Sequence, residues 1–266
     1  MAVGFGIRRE NIDRFIQMIN SYAEKNPVPA PALELDCKLN PSQLGVDLAR
    51  GLSMLEPYGA GNPTPLFGLY HMTLRDVREI GGGKHLRLTL KRGGSTVNAM
   101  RFSVSLAEFP YQVGDEVDLA VTLDINRYNS SESLSVIIRD IKFSQLDEDS
   151  IISSKELFEA FCRGDELTAE QARSLMPDRQ EFAVVYRYLR SNAGFSYPCE
   201  ALLYRLQSGI SYGKLRVILE CMNELGLIRI FEGLYDFEIK MCEVKGKVDL
   251  NSSLIIKKLG EVSRSE

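Results

Sequence analysis

Asp115-Glu116-Val117-Asp118-Leu119-Ala120-Val121-Thr122-Leu123-Asp124-Ile125-Asn126-Arg127-Tyr128 alternates apolar and small or polar residues along its length. Val117, Leu119, Val121, Leu123 and Ile125 fall on one side of a strand, and Asp118, Ala120, Thr122 and Asp124 on the other. Period-two stretches flank it: Leu69–Ile80, Lys84–Arg92 and Ser95–Val104 before, Ser133–Phe143 after. In Lys84–Arg92, Leu86, Leu88 and Leu90 alternate with His85, Arg87, Thr89 and Lys91. Turn sequences separate the runs: Gly81-Gly82-Gly83, Gly93-Gly94, a loop holding Pro110 and Gly114, and Asn129-Ser130-Ser131. Gly81-Gly82-Gly83-Lys84 lacks the Lys-Ser/Thr pair of a phosphate loop and opens a strand, so it reads as a hairpin turn. Five antiparallel strands with a long third connection suit a closed barrel of the oligonucleotide/oligosaccharide-binding (OB) type, which leaves no exposed edge.

On either side of the strands the period returns to about 3.6. Upstream, Ile12, Phe15, Ile16 and Ile19 share a helix face, with Asn11 as a candidate cap. Asn26-Pro27-Val28-Pro29-Ala30-Pro31 reads as a stiff linker, and Pro41 to Leu55 as a second helix presenting Leu44, Leu48, Leu52 and Leu55. Downstream, helices are expected at Ser154–Cys162, Thr168–Leu175, Asp178–Ser191, Pro198–Gln207 and Ser211–Leu225, then strands Leu227–Phe231 and Leu234–Lys240. Three helices and a hairpin are the order of a winged helix. A short helix at Leu254–Leu259 ends the reading. The predicted fold class is α+β, with a helical lead-in over 1–56, an OB barrel over 57–146 and a winged-helix-like domain over 150–266.

Composition narrows the chemistry. The 266 residues are 44% hydrophobic and 26% charged, a globular mixture. No apolar run approaches the ~18 residues of a membrane span, and the first residues lack the pattern of a signal peptide. Cys37, Cys162, Cys199, Cys221 and Cys242 are too widely spaced for CxxC motifs, and Cys199 and Cys221 read as buried thiols. These features place the chain in the cytoplasm. His71 and His85 are the two histidines. A net charge of −4 gives no bulk attraction to polyanions, although residues 67–143 carry ten basic and nine acidic side chains against 16 and 20 in residues 144–266. Any nucleic-acid contact must come from a local patch.

Leu55-Glu56-Pro57-Tyr58-Gly59-Ala60-Gly61-Asn62-Pro63-Thr64-Pro65-Leu66-Phe67 closely resembles the segment that opens the OB domain of the single-strand-specific exonuclease family RecJ. The barrel that follows is similar too, in Lys84-His85-Leu86-Arg87-Leu88, Phe102 and Asn126-Arg127-Tyr128. Met1-Ala2-Val3-Gly4-Phe5-Gly6-Ile7 resembles the tail of the family's Gly-His-x-x-Ala-Gly motif, with Val3 where alanine is usual. The resemblance implies a C-terminal portion of such a nuclease, non-catalytic on its own. The family's Asp-His-His motif and its Mn or Mg chemistry lie in an N-terminal half without counterpart here, so no metal, cofactor or catalytic residue is assigned.

In this barrel type, strands two and three hold nucleic acid, with cations on phosphates and rings on bases. The predicted interface is His85, Arg87, Lys91, Arg101, Arg127 and Tyr128, with Tyr70 and Tyr58 as further rings. Tyr128 stands where many relatives carry tryptophan. The bland alternative is a solvated strand face with a tyrosine at the barrel end. Glycines 59 and 61 read as shaping an interdomain path. Lys214, Arg216 and Arg229 suit groove reading poorly beside Glu220, Glu224 and Glu232, and Tyr204, Tyr212 and Tyr235 read as exposed docking rings. The resemblance therefore implies single-stranded DNA as ligand in recombination and repair. The competing expectation is a docking module for a partner such as a single-strand-binding protein or helicase. A free-standing hydrolase has no candidate constellation.

Overall fold

The computed structural model describes residues 4–26, 32–128, 131–233, 237–243, 246, 248 and 249–264, with backbone alone at 24, 25 and 128. The chain divides into two compact units, Met1–Glu34 and Leu35–Glu266. In the first, α1 (Ile12–Lys25) follows a 3-10 turn at Arg9–Asn11, and the Asn11 side chain makes no capping hydrogen bond. Phe5 packs edge-on against Phe15 at 4.9 Å.

The second unit begins with β1 (Cys37–Lys38), which runs parallel to the start of β2 (Phe67–Ile80). Between them, the expected helix from Pro41 breaks into a 3-10 turn, α2 (Val46–Leu52) and a second 3-10 turn at Ser53–Leu55. Gly45 in extended conformation interrupts it. Leu39, Leu44, Leu48 and Leu52 pack against the barrel core. Residues 35–56, read from the sequence as lead-in, therefore close one end of the barrel.

The barrel is completed by β3 (His85–Arg92), β4 (Ser95–Phe102), β5 (Glu116–Tyr128) and β6 (Ser131–Phe143). Strand order is β1-β2-β3-β4-β6-β5, and β5 returns to pair with β2. One pairing departs from the all-antiparallel expectation: β4 and β6 run parallel at Ala99–Val136 and Met100–Ile137. A closed ring of five strands cannot alternate throughout: β2, β4 and β6 all run against β3 and β5, so β4 and β6 meet parallel. β2 serves two neighbours by bending at register shifts between Leu69 and Met72 and between Leu74 and Asp76. At the first, His71 takes a φ of 55° and its N–H donates to the Asp118 carboxylate at 2.9 Å. Leu69, Met72, Leu74, Leu86, Leu88, Leu90, Val117 and Val121 fill the core. Asp118, Ala120 and Thr122, expected on a solvated face, are also buried. Asp118 additionally accepts from the Ser144 hydroxyl, and Thr122 from Arg139 Nε at 3.1 Å.

The C-terminal region contains α3 (Glu148–Arg163), α4 (Ala169–Leu175), α5 (Arg179–Ser191), β7 (Gly194–Phe195), α6 (Cys199–Leu206), α7 (Tyr212–Glu224), β8 (Ile228–Glu232), β9 (Phe237–Met241) and α8 (Leu254–Val262). Thr168 and Asp178 cap α4 and α5 through capping boxes, as their positions predict. The sheet order is β7-β9-β8. α7 is the central helix. Leu215, Ile218, Leu219 and Met222 face one core, while Val217 joins Phe158, Phe161, Leu175 and Leu259 from α3, α4 and α8 in another.

Candidate nucleic-acid interface

Opposed residues of an antiparallel ladder share a face. The β3–β4 ladder sets His85 opposite Phe102, Arg87 opposite Met100, Thr89 opposite Asn98 and Lys91 opposite Thr96. From β2, Ile80 joins His85, Arg78 joins Arg87 and Asp76 joins Thr89. All of these lie on the side away from Leu86, Leu88 and Leu90. This outer face carries two exposed cations, Arg87 and Lys91, and a third, Arg78, whose Nε is held by Asp76 at 2.6 Å.

At one end of the face is an exposed ring that the site reading missed. Phe102 is 44% exposed, although it is a large apolar side chain at the end of a strand. The His85 ring meets it edge-on at 5.1 Å, and His85 Nδ1 accepts the Ser103 N–H at 3.0 Å. That hydrogen bond places the ring's proton on Nε2. The signal was in the sequence: continuing the count Thr96, Asn98, Met100 arrives at Phe102.

Arg101 does not join this face. It lies opposite fully buried Leu86, and its Nη1 donates to the carbonyls of Ile138 and Arg139 at 3.2 and 2.5 Å. Its guanidinium thus reaches across the seam from β4 to β6. Arg127 stands apart from the others near the β5–β6 turn, with Nε on Glu132 Oε1 at 3.0 Å and 75% of its side chain exposed. Tyr128 is paired in the ladder with Ser131, but its side chain lies outside the described part of the structure. Tyr70 lies beside Gly68 and beneath the Lys38 ammonium, 4.7 Å from the ring centroid. Tyr58 donates its hydroxyl to Leu52 O at 2.7 Å. Neither ring is on the β3–β4 face.

The segment from Leu55 to Phe67 is tied to its surroundings by hydrogen bonds. Gly59 and Asn62 exchange backbone bonds of 2.8 and 3.1 Å, Asn62 Nδ2 donates to Leu55 O and Pro57 O, and Leu66 and Asp36 bond through backbone and side chain. Such a path serves to seat β1 and β2.

Residues 35–140 match the family described as the RecJ OB domain. The barrel is RecJ-OB-like. The resemblance read from Leu55–Phe67 is thereby borne out for this part of the chain. The single-stranded-DNA-specific exonuclease RecJ of Thermus thermophilus is 33% identical over 141 residues, 53% of this chain and 20% of the relative. RecJ of Bacillus subtilis is 24% identical over 151 residues, 54% of this chain and 19% of the relative. A crystal structure of RecJ with Mn2+ from Thermus thermophilus aligns over 54% of this chain and 21% of that one, at 28% identity and a TM-score of 0.43. The chain spans about a fifth of the length of these RecJ relatives.

Beyond the barrel, Lys214, Arg216, Tyr204 and Tyr212 of the C-terminal region are engaged internally, while Arg229 is exposed. Lys214 Nζ lies 2.8 and 3.2 Å from the two Glu181 oxygens. Arg216 binds Glu220 and, in bidentate fashion, Glu232, with its guanidinium over the rings of Phe158 and Phe237. Tyr204 and Tyr212, expected to be exposed, are buried. Tyr204 stacks on Phe143 of the barrel with centroids 4.0 Å apart, and Tyr212 opens α7 inside the core. Tyr235 lies outside the described residues. Burial pushes the Cys199 and Cys221 thiols upward from their ordinary range, as expected of buried thiols.

Proposed function

We propose that the barrel holds single-stranded DNA across the outer face of β3 and β4, neutralising phosphates and stacking bases without reading sequence. The carrying observation is that Arg87 and Lys91 share one ladder face with the exposed Phe102 ring. Cations that track a backbone beside a flat ring are the minimum equipment for sequence-tolerant binding of single strands. On this reading the chain is the DNA-holding, non-catalytic portion of a RecJ-like exonuclease acting in recombination and repair in a bacterial cytoplasm. Among the described residues, no three His, Cys, Asp or Glu side chains come together as candidate metal ligands.

Fluorescence anisotropy of a labelled dT oligonucleotide at two salt concentrations, beside a duplex, tests the reading. The expected result is single-strand binding that weakens with salt and weakens again in Arg87→Ala/Lys91→Ala. The log–log slope should lie near −0.7 per phosphate contact. A folded protein without single-strand binding at low salt would sink it.

A second reading gives residues 150–266 a docking role, for a single-strand-binding protein or a helicase. Its support is an open groove of about 990 Å³ whose lining includes Phe182, Tyr186, Met222 and Met241, with Arg179 and Arg190 beside them. The engagement of α7 on both sides weighs against duplex reading by this region.

A further inference from the structure

The barrel's other end carries a cluster that the β3–β4 face does not explain. Glu132, at the start of β6, is held by two guanidiniums at once. Its Oε1 takes Arg127 Nε at 3.0 Å, and its Oε2 takes Arg50 Nη2 at 2.8 Å. Arg50 comes from α2, 82 residues away in sequence, and also holds Asp47 at 2.8 Å. Two arginines from different elements therefore converge on one oxyanion.

The cluster is not needed to build the fold. α2 is seated by Leu48 and Leu52, with Leu44 just before it, and β5 and β6 by their own long ladder. The charges remain open to water, with side-chain exposures of 58% for Arg50, 75% for Arg127 and 35% for Glu132. Exposed ion pairs of this kind contribute little to stability, so an incoming anion displaces the carboxylate at small cost.

Strand direction connects the cluster to the proposed DNA face. β4 and β6 run parallel with Ala99 beside Val136, so four residues earlier Ser95 and Glu132 occupy the same end of the barrel. Arg92 pairs with Ser95 and Lys91 with Thr96 at that end. Lys91 and the arginine pair thus stand at the same end of the barrel, Lys91 on the outer face and Arg127, two residues after Ile125, on the core-facing side of its strand at the barrel's mouth.

We propose that Arg50 and Arg127 form a second phosphate-binding station for single-stranded nucleic acid, with Glu132 as an internal counter-anion that the phosphate replaces. This rests on the single-strand reading above and extends it by Arg50 and Glu132. Glu132 mimics the ligand: it keeps both forks converged when the strand is absent and competes with the strand when it arrives.

The competition gives a gain-of-function test. Anisotropy titrations of a labelled dT oligonucleotide long enough to span the barrel are run on wild type, Glu132→Gln, Arg50→Ala and Glu132→Gln/Arg50→Ala, across a salt series. Glu132→Gln is expected to bind about threefold tighter at low salt, with a slope steeper by up to about 0.7, because guanidiniums no longer neutralised by Glu132 hold salt anions that the phosphate releases. Arg50→Ala should bind more weakly than wild type, and adding it to Glu132→Gln should cancel the gain. A misfolded variant cannot produce tighter binding, so the gain is not mimicked by damage. If wild type binds and Glu132→Gln binds equally or more weakly, the station is overturned while the barrel-face reading stands. If wild type fails to bind at low salt, the underlying reading has failed and the station with it.

Discussion

Neighbours in sequence, Arg101 and Phe102, illustrate how one step along a strand separates fold from function. Arg101 points into the β4–β6 seam and donates to two strand carbonyls, whereas Phe102 stands on the outer face. Replacing Phe102 with alanine removes a stacking surface worth about 1–3 kcal/mol per base. Phe102→Ala should therefore weaken dT binding by at least about fivefold, read by anisotropy, with little change in the thermal midpoint because the ring is already half in water. Arg101→Ala should do the reverse. It removes two hydrogen bonds from Arg101 to β6 carbonyls, at a cost of about 0.5–3 kcal/mol in a urea titration, and leaves the salt slope of binding unchanged. Both orientations were legible in the sequence, since Val97 and Ala99 are core-facing and the same count reaches Arg101. Grouping Arg101 with Arg87 by charge overrode the alternation. Arg50 was not legible at all, because its place beside Glu132 depends on a helix folding back across 82 residues.

Among elements, the strands were the most readable and their neighbours the least. β3 and β5 show their buried sides directly as alternating apolar residues, but the burial of Asp118 and Thr122 arises from residues outside β5. For α7, one apolar face was visible in Leu215, Ile218, Leu219 and Met222. The second contact surface centres on Gly213, a residue with no side chain to advertise it. A Cβ there would sit 2.6 Å from Leu175 Cδ2 and 2.8 Å from Ser154 O. Alanine favours a helix interior by about 1 kcal/mol over glycine, yet Gly213→Ala should lower the unfolding free energy, since α3 and α4 must move apart to admit it. A urea titration decides the sign. The end of β8 supplies a pH-dependent counterpart. Hydrogen bonds from the Arg216 guanidinium hold Glu232 below its ordinary value of 4.5. A depressed folded value means the pair's contribution is full above the unfolded value and is lost as pH falls through the folded one. Glu232→Gln should therefore be less stable than wild type at pH 7, with the gap closing below about pH 4.5 in thermal melts.

At the scale of the molecule, residues 35–266 form one unit because the barrel and α6 share a buried joint. Arg205 from α6 grips Asp115 with both arms at 2.6 Å, and its Nη2 also donates to Pro110 O at 3.2 Å. Only 14% and 8% of these two side chains are exposed. The stacked Phe143–Tyr204 pair lies beside them, with Tyr111 against Phe143 at 4.5 Å. The sequence separates an OB barrel over 57–146 from a C-terminal region over 150–266, and nothing in its periodicity shows that Tyr204 and Arg205 of α6 complete the barrel's flank. A buried pair of this kind costs about 3–5 kcal/mol to break from one side, because the surviving charge is left in a desolvated place. Arg205→Ala strands Asp115, which retains the Gln112 N–H as donor. Wild type should unfold across the joint in a single urea transition, and Arg205→Ala should separate it into two, followed by tyrosine fluorescence and far-ultraviolet circular dichroism. The double variant Arg205→Met/Asp115→Asn, which removes both charges together, should recover much of the loss and restore coincident transitions. If Arg205→Ala retains one transition at an unchanged midpoint, the apolar stack alone holds the joint. Binding of dT by the barrel should persist in either case, since Arg87, Lys91 and Phe102 lie on strands that the joint does not include.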